Sequence, residues 1–139
     1  IYSSSFLGNY LLPGQSVQRL GGGASIEGAR VAIEATTFYG NGAAGGGALH
    51  LGQGSRVSLL NSTFSRNVAE AGGGAGVLFD DGGPQPPQGT IINSTFAGNE
   101  VTSLTGSGAA IYGGRSVSLR NSLIVGNRVT TRLGGVSCS

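Results

Sequence analysis

The chain has 139 residues, 28 of them glycine, and a formal net charge of +2 with only 10% charged residues. So much glycine excludes long helices, because each one costs a helix about 1 kcal/mol relative to alanine. All eight basic residues are arginines, spread singly without stacking aromatics, which excludes a nucleic-acid surface; Pro13, Gly14 and Arg19 exclude a membrane span or leader between Tyr10 and Leu20.

In chain order, the first element leads from Ile1 through Ser4 and Ser5 to Phe6 and Asn9. A glycine triple ending at Ala24 follows, then Val31, Ile33, Thr36, Thr37, Phe38 and Asn41. The same order returns after the triple at Ala48, with Val57, Leu59, Asn61, Ser62, Thr63, Phe64 and Asn67. After Ala75 it returns again as Gly89, Ile91, Asn93, Ser94, Thr95, Phe96 and Asn99, with glycine where valine stands elsewhere. A Gly-Ser-Gly run ending at Ala109 precedes Val117, Leu119, Asn121, Ser122, Leu123, Ile124 and Asn127, and Gly-Gly-Val closes the series at Val136. Successive anchor asparagines lie 32, 26, 32 and 28 residues apart. Self-similarity at such a period marks a solenoid whose coils carry loops of unequal length.

Val31 and Ile33, Val57 and Leu59, and Val117 and Leu119 each stand two apart, the alternation of a half-buried strand. Stacked coils place the asparagines about 4.8 Å apart, where their amides can bond as a ladder. Asparagine also tolerates left-handed backbone angles, so the anchor asparagines are expected at tight corners. Glycine groups supply further sharp turns, and a column of phenylalanines fills the interior. The chain is therefore expected to be all-β: one single-stranded parallel β-helix solenoid of about five coils, a single domain over 1–139. Five coils make a rod of roughly 20–25 Å.

Phe-x-x-Asn alternating with Gly-Gly-Ala-aliphatic resembles the repeats of polymorphic outer membrane proteins, within the right-handed parallel β-helix repeat proteins of bacterial surfaces. "GGGALHL…VSLLNSTFSRN", "GGGAGVLF…TIINSTFAGN" and "GSGAAIY…VSLRNSLIVGN" carry the likeness. Ile124 in place of phenylalanine and the terminal Gly-Gly-Val depart from the pattern. The resemblance implies a right-handed coil and an extracellular or outer-membrane-associated location, as in adhesins and autotransporter passengers. Ile1 aligns with the middle of a repeat and Ser139 falls inside another. The expectation is thus a segment of a longer chain, or a unit that stacks end to end with other copies of itself into an extracellular fibre.

Few residues carry reactive chemistry. Cys138 has two readings, a disulfide to a partner outside this segment or a buried thiol following Val136. His50 is expected inward in the column of Ile26, Val77 and Ile111, or on the surface after a one-residue shift; without a neighbouring ligand it is not read as a metal site. The stretch "FDDGGPQPPQG" breaks the repeat. Asp80 and Asp81 fit either a calcium site or a polar turn, with the turn favoured. Pro84, Pro86 and Pro87 stiffen this loop, which joins the 100–106 stretch as a candidate partner contact. The sequons at Asn61 and Asn93 recur because the repeat recurs, and are read as unmodified.

The acids are Glu27, Glu34, Glu70, Asp80, Asp81 and Glu100. Hydrolysis of a glycoside needs two carboxylates about 5–10 Å apart. Asp80 and Asp81 point to opposite faces, and no second acid shares the column of Glu34, Leu60 and Ile92. A non-catalytic structural or adhesive role is therefore expected, with no cofactor and with copies of the chain, adjoining segments or surface glycans as partners. The alternative is a carbohydrate-active enzyme of the polysaccharide lyase or hydrolase type.

Overall fold

The computed structural model describes residues 1–12, 19–103, 105–113 and 116–130. One strand, β1 (Ser5–Leu7), precedes four complete coils of four strands each. The first coil holds β2 (Ala24–Ile26), β3 (Arg30–Glu34), β4 (Thr37–Tyr39) and β5 (Gly42–Ala43). The second holds β6 (Leu49–Leu51), β7 (Arg56–Leu60), β8 (Thr63–Ser65) and β9 (Val68–Ala69). The third holds β10 (Val77–Phe79), β11 (Gln88–Ile92), β12 (Thr95–Ala97) and β13 (Glu100–Val101). The fourth holds β14 (Ile111–Gly113), β15 (Ser116–Arg120), β16 (Leu123–Val125) and β17 (Arg128–Val129). Equivalent strands pair in parallel, giving sheets in the order β1-β4-β8-β12-β16, β14-β10-β6-β2, β15-β11-β7-β3 and β17-β13-β9-β5. The parallel β-helix expected from the repeat is present, with four full coils and part of another.

Two corners shape each coil. Between the five-residue strand and the phenylalanine strand, Ser3, Ala35, Asn61, Asn93 and Asn121 take left-handed φ values of 44–51°. The residue after each corner ties it down. Ser62 Oγ donates to the Leu60 carbonyl at 2.9 Å and accepts the Thr36 amide at 3.3 Å, and Ser94 repeats the arrangement. After the phenylalanine strand, Gly8, Gly40, Arg66, Gly98 and Gly126 take φ values of 53–63°. The anchor asparagines follow these residues and are not left-handed themselves. The corner role thus falls to the residue before each anchor and to the other asparagine column, Asn61, Asn93 and Asn121.

The anchors form the expected ladder. Asn41 Nδ2 donates to Asn67 Oδ1 at 3.0 Å and to the Phe6 carbonyl at 2.9 Å, while its backbone amide donates to the same Oδ1 at 2.9 Å. The pattern repeats from Asn9 to Asn127, so the buried amides of Asn41, Asn67 and Asn99 are satisfied without water. Beside it the rings of Phe6, Phe38, Phe64 and Phe96 stack with centroids 4.6, 4.7 and 4.9 Å apart and planes within 6°. They pack with Ile33, Leu49, Leu51, Leu59, Val77 and Ile91 into one core, and Ile124 extends the phenylalanine column. A second small cluster, Ala69, Ala75, Val101 and Ala109, lies on the other side of the ladder corner.

The glycine triples do not stack letter for letter. Gly21, Gly46, Gly74 and Gly108 share one left-handed position, so Ala24 lies beside Leu49, not Ala48. This corrects the place of His50. Its column holds Ser25 and Leu78 on either side and then Tyr112 beyond Leu78, while the column of Ile26 holds Leu51 and Phe79.

Candidate functional site

Strands β3, β7, β11 and β15 turn two rows of side chains inward and three outward. Their inward residues include Ile33, Val57, Leu59 and Ile91, which are buried. Their outward residues stack in register as Arg30, Arg56, Gln88 and Ser116, and as Ala32, Ser58, Thr90 and Ser118. An open groove of about 780 Å³ lies along these two rows. Its lining contains two arginines, hydroxyls and an amide, but no carboxylate. At the far end of the same strands a third row reads Glu34, Leu60, Ile92 and Arg120.

The irregular loop adjoins this groove. Gly54, Ser55, Arg56, Gln85, Pro86 and Gln88 line a recess of about 230 Å³. The Gly54 amide donates to the Gln85 carbonyl at 2.8 Å, which fixes the loop against the preceding coil. Asp80 Oδ1 accepts the Gly82 amide at 3.1 Å in a local turn. Pro84 is exposed, Asp81 and Pro86 are half-buried, and Pro87 is buried, so the loop presents its middle, with Pro84 and Gln85, and then Gln88 to solvent. Among the described residues no three His, Cys, Asp or Glu side chains gather as a metal site. Cys138 lies outside the described residues.

His50 is 1% exposed although it points away from the phenylalanine core. Glycine backbone lies over this side of its sheet: a Cβ at Gly46 would sit 3.1 Å from the His50 Cβ, and one at Gly45 the same distance from Leu20 and Leu78. His50 Nδ1 is 2.9 Å from Ser25 Oγ. Its Nε2 lies 3.7 Å from Asp80 Oδ2, too far for a hydrogen bond, and has no other partner. The order serine, histidine, aspartate is that of a nucleophile relay, but the second link is open.

Two other acids tie coils together. Glu70 pairs with Arg19 at 3.2 Å and accepts the Tyr10 hydroxyl at 2.8 Å, a bond that raises the Tyr10 pKa. Glu100, at the start of the other candidate contact stretch, pairs with Arg128 at 2.9 Å and accepts the Thr130 hydroxyl. The Arg128 bond, then that of Thr130, holds the Glu100 carboxyl below its usual range. Arg66 donates to the Tyr39 hydroxyl at 3.0 Å. Among the described residues, Arg30, Arg56 and Arg120 have neither an ion pair nor a side-chain hydrogen bond. The arginines are scattered along the chain, but stacking makes Arg30 and Arg56 neighbours.

The groove thus offers cationic and hydroxyl recognition along a rigid sheet face. No curated protein and no solved structure matches the chain. The family model described as a right-handed beta helix region matches residues 9–138, nearly the whole chain. Parallel coils, the matched model and the continuous ladder agree: the chain belongs to the right-handed β-helix family.

Proposed function

We propose that this chain is a non-catalytic structural and adhesive β-helix of a secreted or cell-surface protein. The observation that carries the reading is the groove lining, which combines two arginines that are unpaired among the described residues with small hydroxyls and has no carboxylate among its described residues. A glycosidase needs a carboxyl pair across its cleft. Here Glu70 and Glu100 are engaged between coils, and Asp80 is held in its turn. The rest of the chain is invested in the ladder and the ring stack, which give a stiff rod with a repeating outer surface. Such surfaces serve recognition in solenoid proteins. The likeness to bacterial surface repeats gives the reading its location. Surface plasmon resonance on immobilised surface glycans, run beside a reducing-end assay on the same polysaccharides, tests it. Binding without bond cleavage is expected; new sugar ends whose release depends on Glu34 or Asp80 overturn it.

A further inference from the structure

We propose that His50 and Asp80 form a proton-operated latch that fastens the 80–88 loop of the third coil onto the second coil. The latch is independent of what the groove binds.

A neutral imidazole leaves this site one bond short. His50 is 1% exposed, its Nδ1 lies 2.9 Å from Ser25 Oγ, and its Nε2 has no partner. If Ser25 donates to Nδ1, the ring proton sits on Nε2 with no acceptor in range. If Ser25 accepts, the Nε2 lone pair faces the Asp80 carboxylate. Either state strands a buried polar atom. A charged ring uses both nitrogens as donors, Nδ1–H to Ser25 Oγ and Nε2–H to Asp80 Oδ2. The carboxylate then has to approach from 3.7 Å to an ion-paired distance of about 2.8 Å. Its side chain is 42% exposed, so solvent leaves it room to swing.

That swing reaches the loop. Asp80 Oδ1 accepts the Gly82 amide at 3.1 Å, so a carboxylate drawn towards His50 takes the turn with it. The Gln53 side chain, three residues beyond His50, occupies the place a Cβ on Gly83 would take. Further along, Gly54 donates to the Gln85 carbonyl at 2.8 Å and Gln88 to the Ser55 carbonyl at 2.9 Å. The recess between them has Gly54, Ser55 and Arg56 on one wall and Gln85, Pro86 and Gln88 on the other. Drawing in the turn shifts the second wall against the first.

The groups around the ring leave Asp80 as its counter-charge. Ser25 and Leu78 flank it in its column, with Tyr112 beyond Leu78, and the Gly45–Gly46 backbone covers it. The Glu27 carboxyl lies further along, beside Gly52, and Arg19, whose carbonyl accepts the Gly45 amide, pairs with Glu70. Among the described residues Asp80 is the only acid within ion-pair reach of the ring. A metal is not the missing partner, since no third ligand gathers among those residues. The latch closes when His50 takes a proton and reopens when Asp80 takes one.

Two-dimensional NMR of the full chain from about pH 8 to about pH 4 tests the proposal. His50 is the sole histidine, so its ring signals are unambiguous. The ring and the amides of Gly82 and Gly54 should shift with one shared midpoint. Asp80→Asn keeps an oxygen for the Gly82 amide and should melt like the parent at neutral pH, where the latch is open. Its loop amides should lose the response that tracks the ring. Glu27→Gln should keep that response. A ring that stays neutral until the chain unfolds, loop amides that ignore the ring in the parent, or an unchanged loop response in Asp80→Asn overturns the latch. Equal loss in Glu27→Gln assigns the coupling to the general field and overturns the pairing.

Discussion

The ring of Phe79 fills the space that a side chain at Gly89 would need. A Cβ on Gly89 would stand 2.5 Å from both Cε1 and Cζ of that ring. Gly89 shares its column with Val31, Val57 and Val117, while Phe79 stands in register with Leu51. Volume has moved from one column to another within a single coil, and the close packing of the core is kept.

This exchange predicts strong non-additivity. Gly89→Val alone should destabilise by about 3 kcal/mol through overpacking. Phe79→Leu alone should cost about 1–3 kcal/mol through the void it leaves. The double variant should recover most of both losses, because the new valine fills the vacated volume. Urea denaturation of the four proteins gives the coupling; simple addition of the two losses would refute the exchange.

The ladder should be strongest in its middle. Asn67 is fully buried, and its loss strips the Asn41 amides of their acceptor and the Phe38 carbonyl of its donor. Asn67→Ala is expected to cost about 3–5 kcal/mol, since each orphaned buried group costs roughly 1–3 kcal/mol. Asn9→Ala, at a part-buried rung that donates to Asn41 alone, should cost about 1 kcal/mol. Equal losses at the two rungs, measured by chemical denaturation, would contradict this account.

Two corners are occupied by residues poorly suited to them. Ala35 has φ 49° in a column otherwise held by serine and asparagine, and Arg66 has φ 53° where the other four coils use glycine. Ala35→Asn should raise stability by up to about 1 kcal/mol, since asparagine tolerates the left-handed region better than alanine. Arg66→Gly should gain less, about 0.5 kcal/mol, because it gives up the exposed Tyr39 contact. Thermal melts decide, and a lower midpoint for Ala35→Asn would count against the strain.

Acid should loosen the last described corner. The Glu100 carboxyl is held below its usual range, so its contribution to stability is complete above the unfolded value of about 4.3 and is lost as pH falls through the folded value. Glu100→Gln should therefore melt below the parent near neutrality and converge with it in acid. Added salt should narrow the gap, because Arg128 is largely exposed. A gap independent of pH would assign the loss to packing.

Much of this architecture could be read from the chain because each coil restates it. Phe38, Phe64 and Phe96, and Asn41, Asn67 and Asn99, keep a constant spacing within their coils, so columns could be assigned without coordinates. His50 could not be placed that way. The left-handed glycine is the first of its run at Gly21, the middle one at Gly46 and the last at Gly74, so identical letters conceal a slipping register. The same limit hid the groove. Arg30 and Arg56 stand 26 residues apart in sequence, and only the strand register brings their side chains together. The loop's proximity to it likewise depends on how Gln85 bonds to Gly54 in the preceding coil.

Every rung of the ladder points the same way: the Asn9, Asn41, Asn67 and Asn99 side-chain amides each donate to the asparagine oxygen of the next coil, and from Asn41 onward also back to the phenylalanine carbonyl of the coil before. The fold therefore has a grain. A load applied along the axis falls on bonds aligned with it, and a coil that detaches exposes the same donors and acceptors it once covered. Yielding and re-zipping can proceed one coil at a time, so a rod built this way can give under tension without losing its register.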